Sequence, residues 1–243
     1  MTRWESVFDD PPRMHQNADG SWGVFAMARP ALEHLALTLR SEARSLETGC
    51  GATTAVFADH GCHHTVVVPS QPEIDTIRDW LEDHGVSTER VTFRLGPSET
   101  VLPSLAADPL DVVVIDGRHG FPAPMVDWFY TAGRLVVGGT MVLDDTQIWP
   151  VAVLHRFLAG SPDWHLDAHI CCTAFYVKIA DGGHAADWDQ QPFVLRRSWP
   201  NKGGSRVHQR VVAALRLLVR GEARQFARRA YMHTVKRLSV RRS

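Results

Sequence analysis

Glu47-Thr48-Gly49-Cys50-Gly51-Ala52-Thr53-Thr54 is the stretch whose reading decides the fold. It closes a short strand-like run, residues 43–47, and opens onto a helical stretch. Two glycines two apart let the backbone turn sharply and leave no Cβ in the path of a ligand. The helix that follows would offer its free N–H groups to that ligand. A dinucleotide site would place a third glycine at position 54, which is Thr54. No Gly-Lys-Ser/Thr follows, so a P-loop is excluded. A plain strand-to-helix turn can carry the same two glycines, so the surroundings must decide.

Working outward, strand-like runs recur with helices between them. Residues 64–68 (His-Thr-Val-Val-Val) form a second strand, followed by a polar helix over 73–84 and a third strand over 91–95. Residues 110–115 (Leu-Asp-Val-Val-Val-Ile) have the continuous apolar character of a strand buried on both faces. Residues 125–136 read as a helix broken by Gly138-Gly139, with a strand over 140–143. A helix over 151–158 and two close strands, 164–170 and 173–179, complete the unit. This alternation implies an α/β fold with a mostly parallel, doubly wound sheet. Ligands of such sheets bind beyond the carboxyl ends of the strands. The informative residues should therefore follow each apolar run.

Glu47-x-Gly49-x-Gly51 after a first strand resembles motif I of the class I S-adenosylmethionine-dependent methyltransferases, and the resemblance runs from about residue 44 to 179. It implies a Rossmann-like seven-stranded sheet with the last strand antiparallel. It also implies a cofactor site using Glu47, Thr48, Gly49, Cys50 and Gly51. Gly96-Pro97-Ser98-Glu99 resembles the adenine-facing loop, so Gly96 and Ser98 join the cofactor set. Asp116-Gly117 ends the fourth strand, and Gly138-Gly139 precedes the fifth, as in the family. One departure concerns the acid that usually closes the second strand and grips the ribose. Pro69-Ser70 stand there instead, which leaves Ser70 or Glu73 for that contact.

Asp116 and the pair Asp144-Asp145 each follow a predicted parallel strand. Three acids in one cleft repel unless a cation neutralises them, and oxygen ligands suit Mg²⁺ or Mn²⁺. The pattern resembles the metal site of catechol-type and macrolide-sugar O-methyltransferases, which implies Asp116, Asp144 and Asp145 as ligands. A turn-forming or helix-capping role for Asp145 is the plain alternative. His119 falls where the catechol-type family carries a Lys base, and imidazole titrates in the right range to take a hydroxyl proton. Asp116 and His119 are thus the expected catalytic pair. Trp22, Gln147 and Trp149 are candidate substrate walls, and residues 120–124 a loop over the site.

The 243 residues carry 26 Lys and Arg against 27 Asp and Glu, but the charge is unevenly spread. From Arg206 onward ten Arg and Lys236 face the single acid Glu222, so the preceding body is acidic. Four domains of organisation follow: an arm and covering helix over 1–42, the methyltransferase domain over 43–180, a linker over 181–205 and a basic helical extension over 206–243. Arg216, Arg220, Arg224 and Arg228 would form one ridge on that helix. Such a ridge suits an anionic membrane surface, the acidic body or a partner subunit of a homo-oligomer. Nucleic acid is disfavoured, because aromatic stacking residues are few and no motif is present. The four cysteines include an adjacent pair, Cys171-Cys172, and no C-x-x-C, which speaks for reduced thiols. With no signal peptide or apolar span, the expected setting is the cytoplasm, with peripheral membrane contact through the extension. The expected function is methyl transfer from S-adenosylmethionine to a hydroxylated small molecule, a sugar or secondary metabolite, assisted by Mg²⁺ or Mn²⁺. Two alternatives are metal-independent transfer to an N- or lipid-linked acceptor, and a non-catalytic scaffold on the same fold.

Overall fold

The computed structural model describes residues 2–16, 19, 22–23, 26–182 and 184–198. The expected basic helix, its arginine ridge and the Trp22 side chain lie outside the described residues. Seven strands form the sheet: β1 (Arg44–Thr48), β2 (His63–Val68), β3 (Val91–Leu95), β4 (Leu110–Ile115), β5 (Leu135–Leu143), β6 (Trp164–Ile170) and β7 (Thr173–Lys178). Their spatial order is β3-β2-β1-β4-β5-β7-β6, parallel except that β7 runs antiparallel to both of its neighbours. This is the Rossmann-like sheet with an antiparallel last strand that the sequence implied.

Helices cover both faces: α1 (Arg29–Thr38), α2 (Ala52–Asp59), α3 (Gln71–Asp83), α4 (Ala123–Ala132) and α5 (Trp149–Leu158). All but α2 carry proline at the second position, Pro30, Pro72, Pro124 and Pro150, where the missing N–H has no partner to lose. Alternate β4 residues serve opposite cores. Val112 and Val114 pack with Leu32, Phe57 and Ile77 on one face. Val113 and Ile115 pack with Trp128, Leu154 and Met141 on the other. A strand buried on both faces has no polar side to display, which is why residues 112–115 are apolar without alternation.

Three expectations are corrected. The first residues are no loose arm. A 3₁₀ turn over Arg3–Phe8 buries Trp4 and Val7, and Asp59 at the end of α2 accepts hydrogen bonds from the Arg3 and Trp4 amides at 2.8 and 3.2 Å. The Trp80 indole also donates to the Asp10 carbonyl at 2.7 Å. The helix expected over 125–136 ends at Ala132, and β5 begins at Leu135. Gly138-Gly139 lie inside that strand, at a register shift opposite Leu110 and Val112. A Cβ on Gly139 would stand 2.9 Å from the Asp111 carbonyl, so glycine here lets two strands close up where a helix break was expected.

Lys178 is buried at the end of β7, and its Nζ donates to the Ala132 and Leu135 carbonyls at 2.9 and 2.7 Å. It also pairs with Asp181 at 2.8 Å, a carboxylate that is 73% exposed. The two carbonyls belong to the end of α4 and the start of β5, so one ammonium joins three elements. Residues 2–182 and 184–186 fall in one compact unit, and 187–198 belong to a second unit with a helical turn over Pro192–Leu195. Lys178→Met should cost roughly 2–4 kcal/mol, since it strands two buried acceptors, whereas Asp181→Ala should leave stability nearly unchanged, its exposed pair being screened by solvent. Urea denaturation of both variants measures the contrast.

Candidate active site

The β1, β2, β4 and β5 ends come level because Thr48 is paired with Val67 and Ile115, and Ile115 with Leu143. The residues that follow, Gly49, Asp116 and Asp144, therefore share one rim of the sheet. Hydrogen bonds continue past the strands, from Asp116 N to Thr48 O and from Asp144 N to Ile115 O, both at 3.2 Å.

Glu47 is almost fully buried below the loop it begins. Its Oε1 accepts from the Thr54 hydroxyl, which itself accepts from the Gly51 N–H at 3.0 Å. Thr54, unsuited to a dinucleotide turn, thus serves here as the pin that holds Gly51 to Glu47. His64 Nε2 lies 3.1 Å from Glu47 Oε1, at an angle that makes no hydrogen bond. The His64 Nδ1 side meets the Ser45 hydroxyl at 2.8 Å, and its ring stacks on Phe57. Among the described residues Glu47 Oε2, a buried acceptor, has no hydrogen-bond partner.

Gly49 has φ +89°, and a Cβ there would stand 2.3 Å from the Asp116 carbonyl oxygen. The glycine is thus required first by the close approach of two backbone segments. Cys50 follows with its thiol pushed up by burial and by the charges of Glu47, Glu73 and Asp116. It is a neutral thiol rather than a nucleophile. That influence also places Glu73, in the first turn of α3, electrostatically beside the Glu47–Gly51 loop, while Ser70 is the residue before that helix. A cavity of about 370 Å³ opens between this loop, α1 and the docked N-terminal arm, with Phe8, Met14, Met27 and Leu32 among its apolar walls.

On the far side, Gly96 and Ser98 flank Pro97 after β3, and Gly96 takes φ +142°. Behind Ser98 lies Asp127 of α4, fully buried, which the sequence reading passed over. Burial pushes its carboxyl up, while the hydroxyls of Ser98 and Thr48 pull it down. Neither carboxyl oxygen completes a hydrogen bond, nor does the Thr48 hydroxyl. A sequence signal existed: Asp127 is an acid whose neighbours one turn away, Ala123 and Thr131, face the core.

The acid cluster is rearranged from the expected set. Asp116, His119 and Asp145 bring one ligand atom each to within 4.8 Å of one another. His119 Nε2 is 2.9 Å from Asp145 Oδ2 and 4.0 Å from Asp116 Oδ1. Asp144 turns away: it is buried and accepts from the Thr173 hydroxyl. Burial raises its carboxyl despite that bond. Asp116 is raised well above the usual carboxylate range, by burial first and then by Asp144, Glu47 and Asp145. Its side chain keeps 24% exposure, enough to face a ligand. Asp145 holds φ +57°, and Gln147, considered above as a substrate wall, donates to its Oδ1 at 2.6 Å. Phe121, two residues after His119, and Trp149 are exposed aromatic rings 6.0 Å apart.

A family described as a methyltransferase domain is matched over residues 46–146, from β1 to just past the Asp145 loop. The structure is similar to the O-methyltransferase from Bacillus cereus in complex with S-adenosylhomocysteine, at 17% identity and TM-score 0.56, covering 73% of this chain and 91% of that one. It is similar to the O-methyltransferase TomG from Streptomyces achromogenes, involved in tomaymycin synthesis and solved with S-adenosylmethionine, at 17% identity and TM-score 0.56, covering 74% and 87%. An S-adenosylhomocysteine-bound methyltransferase from Podospora anserina is 16% identical, with TM-score 0.56 and coverage of 74% and 86%. No curated protein matches the sequence. At these identities the solved structures attest to the fold alone, and the family match covers residues 46–146. The sheet is Rossmann-like, and the methyltransferase-domain match spans β1 to β5 within it.

Two measurements test this geometry. Gly49→Ala should lower stability by roughly 1–3 kcal/mol without any cofactor present, because its Cβ meets backbone; an unchanged melting temperature would refute the close approach. Asp127 has a folded pKa above its unfolded value, so it binds its proton more tightly in the native state. Its contribution is fully present below the ordinary carboxylate range and is lost as pH rises through the folded pKa. Asp127→Asn should flatten that part of the stability profile, read by urea denaturation at stepped pH.

Proposed function

We propose that the protein moves the methyl group of S-adenosylmethionine to a hydroxyl of a small molecule, a sugar or secondary metabolite, with a divalent cation assisting. The observation that carries this reading is the Asp116–His119–Asp145 group on the rim shared with the Glu47–Gly51 loop. Two carboxylates and an imidazole form a mixed donor set, which suits Mn²⁺ better than the all-oxygen preference of Mg²⁺. Such a cation would supply charge to bind a substrate hydroxyl and lower its pKa. His119 replaces Asp144 in the set expected from the sequence, because Thr173 already holds Asp144.

In the transfer, the methyl carbon leaves sulfur as it bonds to the acceptor oxygen, and the hydroxyl proton departs. The Glu47 loop holds the methionine end of the donor, and its buried Oε2 is available to the donor's ammonium group. Gly96 and Ser98 lie where the adenine would be received, and Ser70 or Glu73 near its ribose. Positioning and exclusion of water supply the rate. The 2.9 Å His119–Asp145 pair also favours a second, metal-free reading, in which Asp145 orients His119 as the general base. The basic stretch from Arg206 suits contact with an anionic membrane surface or a partner subunit, consistent with a cytoplasmic, peripheral setting. No helix among the described residues is long and apolar enough to cross a membrane.

Calorimetric titration with S-adenosylhomocysteine, with and without Mn²⁺ or Mg²⁺, tests the proposal. Asp145→Ala should leave the affinity for the demethylated cofactor within about threefold while abolishing cation binding. Full turnover in excess chelator would overturn the metal-assisted reading and favour the second. In that case His119→Asn should reduce kcat by about 10²–10⁴-fold. A full chain that binds neither the cofactor nor its product would overturn both.

A further inference from the structure

Cys171 and Cys172 are the two residues of the turn between β6 and β7, whose last ladder pair is Ile170 with Thr173. Both thiols belong to exposed residues. Turns of this length call for glycine or asparagine wherever φ is positive, yet Cys171 holds φ +52°. Turn chemistry therefore does not account for cysteine at either position. Cys50 is partly buried and Cys62 fully so, which makes this adjacent pair the accessible thiols among the described residues.

The turn is bolted to the acid loop. The Cys172 carbonyl accepts from the Thr146 N–H at 2.9 Å and from the Thr146 hydroxyl at 2.8 Å. On the next residue, the Thr173 hydroxyl donates to Asp144. Thr146 directly follows Asp145, so the dithiol reaches the Asp116–His119–Asp145 group through one residue and two hydrogen bonds.

We infer that Cys171-Cys172 is a binding site for a trivalent thiophile of the arsenous type, coupled through Thr146 to the acid loop. Geometry selects this occupant over a disulfide. Adjacent Cα atoms across a trans peptide are about 3.8 Å apart, below the roughly 4.4–6.8 Å that a disulfide spans. A single bridging atom between the sulfurs lengthens the link and removes that misfit. Ligand count selects it over zinc, which takes four protein ligands in a structural site. Among the described residues no group of three His, Cys, Asp or Glu includes either cysteine. Two thiolates, with a third position open to hydroxide or an organic group, suit a trivalent arsenic centre. With phenylarsine oxide, two S–H bonds and the As–O bond are exchanged for two S–As bonds and one water. Arsenic stays trivalent and no oxidant is needed.

The test uses the reduced full chain and phenylarsine oxide. One equivalent should add to the intact mass, map to the peptide containing residues 171–172, resist a monothiol wash and come off with a dithiol. Hydrogen exchange at the Thr146 amide should change at least severalfold on loading, because its acceptor is the Cys172 carbonyl. Cys171→Gly is the informative variant: glycine suits the positive φ, so it should melt at or above the parent's temperature while losing the arsenical. Cys172→Ser should lose it too. Uptake that persists in Cys171→Gly, or a parent that takes up none, would overturn the site. Unchanged Thr146 exchange in the loaded protein would overturn the coupling.

Discussion

Gly49 and Asp116 meet backbone to backbone where β1 and β4 end, in a space that admits no Cβ. Everything at the rim depends on that approach. It is made by the parallel pairing of Thr48 with Ile115 and extended one residue by the bond from Asp116 N to Thr48 O. Gly117 sits close against the Thr48 side chain, 3.1 Å from where its Cβ would be, though less tightly than Gly49 against Asp116. Because β5 pairs in the same register, the acid loop arrives level with the cofactor loop. A slip of one residue in either pair would turn Asp116 or Asp144 to the opposite face of the sheet.

Burial first, and then the charges of Asp144, Glu47 and Asp145 that this convergence brings near, raise the Asp116 carboxyl. The protein offsets the repulsion locally and unevenly. Glu47 has Thr54 and the nearby imidazole of His64, Asp144 has Thr173, and Asp145 has His119 and Gln147. Among the described residues Asp116 has only His119, 4.0 Å away. The least compensated acid is thus the one at the centre of the rim, which is where a sulfonium or a divalent cation would relieve the most repulsion. The same unevenness leaves Asp144 tied to Thr173 inside the protein while Asp145 faces His119.

The elements most legible in the sequence were those whose pattern reports burial directly. The run 112–115 is apolar on both faces and was placed within the right strand, and the alternation of strands with helices implied the parallel sheet. The motif around Gly49 and Gly51 carried the loop, since glycine at a positive φ leaves a readable mark. Less legible were residues whose role depends on a distant partner. Thr54 looked like a defect of a dinucleotide loop until Glu47 was seen beneath it. Asp127 was passed over, although Ala123 and Thr131, one turn away on the same helix face, also point into the core. Gly138-Gly139 looked like a helix end because the signal for a helix break is the same as that for a strand admitting a close neighbour.

What the sequence by itself determined is the set of elements and the chemistry available at their ends. Local propensity, proline positions and two-faced apolar runs are properties of neighbouring residues, and they need no knowledge of the rest of the chain. Only the tertiary structure decided which acids work together. Asp144 and Asp145 are adjacent and chemically identical, yet a positive φ at Asp145 and a hydroxyl from Thr173 at Asp144 send one into the core and the other toward His119. Those partners lie 26 or more residues away along the chain. A choice made by such partners is set by register and packing, which adjacent residues do not encode.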